Sequence, residues 1–372
     1  MNLNLPHISL VSLFCAIIYI PSASALEQII RPYQSVRSAG MGGVRITTGL
    51  YDENFFTNPA RVMANPHTKF TVLEFTPAEL TPTTWTSVSN LLQGVDALTA
   101  ITQTAGSNLH DRIQIIFPAY YLAAHSQRKW ALAIGIIGSV QLDAIIRQSY
   151  QLSLDAIADI GPAITYGRRF LKNSQLALGV TGHFAYRIGT TPTYNLLNYI
   201  QGTPPSTTTL TGDGAQIDFD LGSTYLFGNW GAYQITGGAA IQNILGGTYS
   251  PSILTFLNTG RGPPTQNRSY GLGFSALRPK WGNFKNTLFA VEVTDVLNNR
   301  DGSIFRLLHL GAETNWKSLT MRAGINQGYF CAGFGLDVRY FTFNFATYGE
   351  EMGLNAGTLE DRRYTLNMGF HI

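Results

Sequence analysis

The chain has 372 residues, 38 of them glycine, with 13% charged, 12% aromatic and a formal net charge of +3. A charged share about half the usual ~25% leaves too little polar cover for an ordinary soluble protein, and no apolar run of 18 or more residues follows the leader, which excludes a helical membrane protein. Basic residues form no run, so nucleic acid is not an expected partner, and Cys15 and Cys331 cannot build a disulfide framework because Cys15 lies in the leader.

That leader is the first element. Residues 8–20 are apolar, and Pro21 and Ala23-Ser24-Ala25 follow. Small residues at Ala23 and Ala25 suit cleavage before Leu26, so residues 1–25 read as a signal peptide. The absence of Lys or Arg before the apolar run keeps a short buried or anchoring helix as the alternative.

Residues 26–66 do not alternate like strands. They contain Gly40, Gly42 and Gly43, the acidic pair Asp52-Glu53, and Asn58-Pro59-Ala60 ahead of Val62-Met63. Glycine permits sharp turns and close backbone approach, and Asn-Pro favours a turn. A solvated tail would not carry Phe55, Phe56, Val62 and Met63, so the segment reads as a compact plug.

From residue 67 to 372, segments of about ten residues recur between turn residues. Strands are predicted at 67–76, 112–124, 129–140, 146–156, 160–170, 175–188, 214–227, 231–243, 268–277, 286–296, 305–316, 318–327, 329–338, 341–349 and 361–372. Along them apolar and polar residues alternate: Ile217, Phe219 and Leu221 against Asp218 and Asp220, and Leu308 and Leu310 against His309. A sustained period of two gives each strand one apolar and one polar face. Two stretches break the pattern. Residues 87–103 space Leu91, Leu92, Val95, Leu98 and Ile101 near a helical repeat, and 194–214 reads as a long loop with a possible helical turn at 196–200.

A soluble sandwich would also alternate. Here, however, the apolar faces end in Trp130, Tyr166, Tyr225, Phe227, Trp230, Trp316 and Tyr340, as interfacial girdles require. The last strand places Tyr364, Leu366, Met368 and Phe370 opposite Arg363, Thr365 and Asn367, resembling the signal that hands outer-membrane barrels to their assembly machinery. The expected fold is all-β, a transmembrane antiparallel barrel of about 14 strands with an N-terminal plug, lying in the outer membrane among lipid.

Asp218, Asp220, Glu292, His309, Glu313, Arg322 and Arg363 fall on the polar faces and must point into the lumen, since lipid would penalise each by several kcal/mol. They read either as a polar conduit or plug anchor, or as a paired network filling a narrow lumen. Pro118 and Pro162 lie inside strand patterns, where a missing N–H implies a bulge, kink or strand end. Pro118 could mark a lateral opening, an ordinary bulge being the simpler reading. His183 and His309 are the histidines whose place on strands would suit catalysis. No hydrolase, metal or nucleotide motif accompanies them, so neither an enzyme nor a cofactor is expected.

The run SAGMGGVRITTGLYDENFFTNPARV resembles the N-terminal hatch of outer-membrane long-chain fatty-acid and hydrocarbon transporters (FadL type), through Gly40, Gly42, Asp52-Glu53 and Asn58-Pro59-Ala60. The C-terminal third is similar to type IX secretion barrels (PorV type). The first resemblance implies passive transport of a hydrophobic small molecule past the hatch. The second implies a non-transporting scaffold for a secretion or surface complex. Neither fixes a substrate or an oligomeric state.

Overall fold

The computed structural model describes residues 33–93, 108–126, 128–146, 151–171, 175–190, 193–195, 211–296, 303–353 and 355–372. The leader and the possible turn at 196–200 lie outside them. The strands are β1 (Lys69–Leu80), β2 (Asn108–Leu122), β3 (Trp130–Ile146), β4 (Gln151–Phe170), β5 (Leu176–Thr190), β6 (Thr193–Asn195), β7 (Gly212–Trp230) and β8 (Tyr233–Gln242). They continue with β9 (Ser269–Trp281), β10 (Phe284–Val293), β11 (Leu308–Trp316), β12 (Leu319–Asn326), β13 (Tyr329–Val338), β14 (Phe341–Glu351) and β15 (Glu360–His371). Every pairing is antiparallel. β1 pairs with β15 and β3 with β4, so 14 strands close into a barrel, with β6 attached to the start of β4.

Alternation works as the sequence predicts. Along β7, Ile217, Phe219 and Leu221 are exposed while Asp218 and Asp220 are buried, and on β15 Tyr364 and Phe370 are exposed while Arg363, Thr365 and Asn367 are buried. The buried side is the lumen. Connections differ in length at the two rims: β7–β8, β9–β10, β11–β12 and β13–β14 turn within a few residues, whereas β1–β2, β8–β9 and β10–β11 carry long loops at the other rim. Trp130, Tyr166, Tyr225, Phe227, Trp230, Trp316 and Tyr340 are all exposed and cluster toward the short-turn rim.

Three elements differ from expectation. Segments 146–156 and 160–170 are one strand, β4, which runs straight through Pro162. Its ladder with β3 is complete, and the rungs at Gly161 and Pro162 are missing only on the β5 side, where proline has no N–H to offer. The helix expected at 87–103 begins earlier, as α1 (Pro82–Leu92). Thr81 caps it, its hydroxyl accepting from Thr84 N–H at 3.2 Å, and proline follows at the first helical position. The capping signal Thr81-Pro82 outranks the apolar spacing, and the part of the expected helix beyond Gln93 lies outside the described residues. A five-residue helix over residues 36–40, not anticipated in the plug, is capped by Ser35.

Residues 33–66 lie inside the barrel. Their helix packs on β12, β13 and β14, while the 3-10 turn at Pro59–Ala64 packs on β4, β5 and β7 across the lumen. Phe55, Val62 and Met63 are fully buried against Ile116, Tyr121, Ile137 and a row of wall alanines. Each such side chain contributes about 1.5–3 kcal/mol by burial, which a solvated tail would forgo.

Candidate functional site

The wall seats this segment, the hatch, on glycine. Gly311 and Gly324 face each other across the β11–β12 ladder. A Cβ on Gly311 would stand 2.4 Å from Met41 O, and one on Gly42, whose φ is +70°, would stand 2.3 Å from Leu310 O. Gly40 abuts Gly333, and Gly43 lies against the His309 ring. Hatch backbone therefore touches wall backbone. Gly311→Ala is expected to lift the turn at residues 41–44 and weaken hatch docking by about 1–3 kcal/mol, the usual cost of overpacking. Hydrogen exchange of the 41–44 amides measures it, and unchanged protection would contradict the seat.

Polar anchors complete the seat. Glu292 of β10 accepts from three successive hatch amides, Arg45 at 2.5 Å, Ile46 at 2.7 Å and Thr47 at 2.8 Å, and from the Thr47 hydroxyl at 2.8 Å. Glu313 takes Arg37 in a two-pronged pair at 2.9 and 2.8 Å and also accepts from Arg322 Nε at 2.8 Å. Arg37 reaches Glu53 as well, and Glu53 accepts from Ser35 and from Leu50 N–H, so the second acid of the pair folds the hatch upon itself. The His309 ring lies within hydrogen-bonding distance of Gly42 O and of the Thr294 hydroxyl, both at 2.9 Å. Asn58 caps Ala60 N–H through its side-chain oxygen and donates to Ile46 O and Ser223 O, with Pro59 and Ala60 pressed against Gly179. Glu292, His309, Glu313 and Arg322 are thus joined to the hatch, directly or through one partner.

The remaining lumen charges serve other ends. Asp218 accepts from Leu245 N–H and Gly247 N–H, and Asp220 from Asn243 N–H, each at 2.8 Å, which draws the β8–β9 loop onto β7. Arg363 pairs with Glu350 at 2.8 Å and Asp361 at 2.7 Å, and lies 3.7 Å from Asp143. Asp143 in turn faces His110, whose other nitrogen meets Glu79 at 2.9 Å, with Arg112 on the same Glu79 oxygen at 3.0 Å. This network fills the lumen between β1–β3 and β14–β15 toward the long-loop rim. Glu79, His110, Arg112 and Asp143 were not singled out from sequence. Their inward parity was legible in β1–β3, but their convergence with Arg363 requires the barrel to close.

Pro118 sits at a one-residue register shift between Ile116 and Ala119 against β3, and pairing with both neighbours resumes at Ala119. Two cavities matter more. A small one of about 20 Å³, enough for a water, lies between hatch Phe56 and the wall at Ile160, Gly161, Pro162 and Phe184. Buried atoms of His183, Gln216, Tyr249 and Gln266 that lack hydrogen-bond partners border it. The other, about 540 Å³, lies toward the short-turn rim beneath Arg61 and Met63. Neither is lined by Pro118.

No protein-family model and no curated protein matches the chain. Solved barrels do. The Ralstonia pickettii toluene transporter TbuX aligns over 91% of this chain and 97% of its own, at 10% identity and a TM-score of 0.47. The P. putida toluene transporter TodX aligns over 91% and 97%, at 12% identity and 0.46. A Pseudomonas aeruginosa FadL homologue aligns over 93% and 98%, at 10% identity and 0.45. The likeness is one of overall architecture, spread along most of each chain.

Asp52, the first acid of the hatch pair, is held well above the usual carboxyl range, mainly by burial and next by the charges of Glu74 and Glu53. Tyr33, whose hydroxyl donates to Asp52, and Lys69 pull the other way. A carboxyl with a raised docked pKa binds more protons docked than free. Its contribution is full below about pH 4, the free value, and fades as pH rises through the docked value. Hatch protection against trypsin is expected to weaken from pH 5 to pH 8 in the wild type and to stay level in Asp52→Asn. Equal slopes would refute this assignment.

Proposed function

We propose that this chain is an outer-membrane barrel for the passive uptake of hydrophobic small molecules, with the hatch as its internal plug. The cavity between Phe56 and the β4–β5 wall carries the reading. Its lining joins apolar side chains (Phe56, Ile137, Ile160, Phe184) to polar ones (Ser139, Asp159, His183, Gln216, Tyr249, Gln266), and displacement of Phe56 would enlarge its volume of about 20 Å³ toward the size of a small-molecule site. It also meets the wall where two rungs of the ladder are missing. On this reading the girdled rim, with its short turns, would face the periplasm and the long loops the outside. A molecule entering from the loops would displace Phe56 and leave sideways into lipid at Gly161–Pro162, where the cavity reaches the wall, rather than at Pro118. Residues 1–25 would direct export, and β15 would engage the assembly machinery.

Proteoliposome uptake of labelled toluene tests this. A Pro162→Cys/Phe184→Cys disulfide, stapling the missing rungs, is expected to abolish uptake, and reduction to restore it. Uptake no better than that of empty liposomes would sink the reading. One observation favours the scaffold alternative: Trp85, Phe256, Ile304 and Phe305 stand exposed on the long-loop side. A barrel silent in uptake, whose partner binding fails when these four become Ser, would establish it.

A further inference from the structure

The outer surface of the short-turn rim is strongly cationic. Arg128, Lys129 and Arg168 stand there at the ends of β3 and β4. Arg278, Lys280, Lys285, Lys317 and Arg339 stand along its β9–β14 side. Asp337 is the one exposed acidic side chain at this rim among the described residues. Glu313, equally near, points inward to Arg37 and Arg322. The resulting excess of positive charge is larger than the +3 of the whole chain, so the remainder of the molecule is net negative. None of these cations forms an ion pair among the described residues, whereas Arg362 at the opposite rim pairs with Glu360.

The β9–β10 hairpin concentrates the effect. Lys280 and Lys285 stand directly opposite each other in its ladder, both exposed. Like charges so placed destabilise a sheet unless an anion lies between them. Arg278, two residues back on the same face of β9, lies over the Trp281 and Tyr233 rings at 5.0 and 5.6 Å. Farther along that face Phe274, Phe289 and Val291 form an exposed apolar wall. The arrangement recurs around the rim: Arg128 lies 5.2 Å over Trp130, Lys317 5.5 Å over Trp316 and Arg339 4.9 Å over Tyr340. Arg168, the ladder partner of Trp130, lies 5.8 Å over Phe170. Such contacts hold each charge at the level of the rings while its stem covers apolar surface. A soluble acid would use the charges alone. A partner that matches both features has an anionic head and an apolar body running along the outside of the barrel.

We propose that the short-turn rim selects anionic phospholipid, the β9–β10 hairpin holding a lipid phosphate between Lys280 and Lys285 with the acyl chains along Phe274, Phe289 and Val291. The lysines act as point-charge phosphate binders, and the remaining cations enrich anionic headgroups around the barrel. This rests on the membrane placement of the barrel and not on transport, so failure of the uptake assay leaves it standing.

Tryptophan quenching tests it, because Trp130, Trp230, Trp281 and Trp316 all stand exposed at this rim. The full chain is reconstituted in phosphatidylcholine vesicles containing either brominated phosphatidylglycerol or brominated phosphatidylcholine. At low salt the brominated phosphatidylglycerol is expected to quench at least about threefold more effectively. The ratio should approach one in molar salt, where the Debye length is about 3 Å. Lys280→Gln/Lys285→Gln is expected to lose about half of the preference or more, while Lys280→Arg/Lys285→Arg keeps it, as does Arg261→Gln at the opposite rim. Equal quenching by the two lipids, a preference indifferent to salt, or one undiminished in the Gln double variant would each overturn the lipid site. No quenching by either lipid would instead remove the membrane placement, and the site with it. Labelled polyglutamate that binds the protein in pure phosphatidylcholine vesicles, and is lost from the Gln double variant, would assign the rim to an acidic polypeptide and overturn the lipid site.

Discussion

Glu292→Ala is expected to release the hatch. One carboxylate satisfies three consecutive amides and a hydroxyl, all buried. Hydrogen bonds to a charged group are each worth about 1.5–3 kcal/mol, and a buried donor left without an acceptor adds its own desolvation cost. Even with strong non-additivity the loss is on the order of 3–6 kcal/mol, comparable to the whole stability of a small domain. Trypsin should then reach Arg45 and Arg61, and planar-bilayer recordings should show ion conductance that the wild type lacks. Glu292→Gln should fall between, because its single carbonyl oxygen accepts fewer bonds and its amide faces donors. A Glu292→Ala hatch as protected as that of the wild type would show that the glycine seat and the Phe55–Val62–Met63 cluster hold it unaided.

Arg363→Ala is expected to destabilise the seam where the barrel closes. Arg363 sits on the last strand and pairs with Glu350 of β14 and Asp361 of its own strand, with Asp143 of β3 nearby. Removing the cation strands these carboxylates in a buried site, and breaking one buried pair this way costs about 3–5 kcal/mol. The folded, heat-modifiable band on electrophoresis should disappear at a lower temperature, and the urea midpoint should fall. Arg362→Ala is the control, since its pair with Glu360 is half-exposed and surface pairs contribute about 0–1 kcal/mol. Equal effects from the two substitutions would mean that the network is not what holds the seam.

Much of the site is legible in the sequence, and the reason is the alternation of the strands. An apolar outer face forces the charges of a strand to the other, so strand parity alone puts Asp218, Glu292, His309, Glu313 and Arg363 in the lumen. The glycines of the hatch motif likewise point to close backbone approach, and a Cβ on Gly42 would stand 2.3 Å from Leu310 O. Local punctuation is a weaker guide. Pro162 implies a bulge, kink or strand end, yet β4 continues because a proline costs only the bond on the side its nitrogen faces. Thr81-Pro82 is a two-residue cap, a shorter signal than the apolar spacing downstream of it, yet it sets the helix start.

The sequence by itself determined which side chains face outward, which face inward, and that residues 33–66 need a core to hide in. These follow from a period of two and from the penalty for burying or exposing the wrong group. Only the tertiary structure decided which inward group meets which. Glu292 takes amides 245 to 247 positions away, Arg363 reaches Asp143 across the closing seam, and Arg61 and Arg169 are left facing a common space. Such partnerships depend on strand register and on barrel closure, which bring together residues that no local pattern relates.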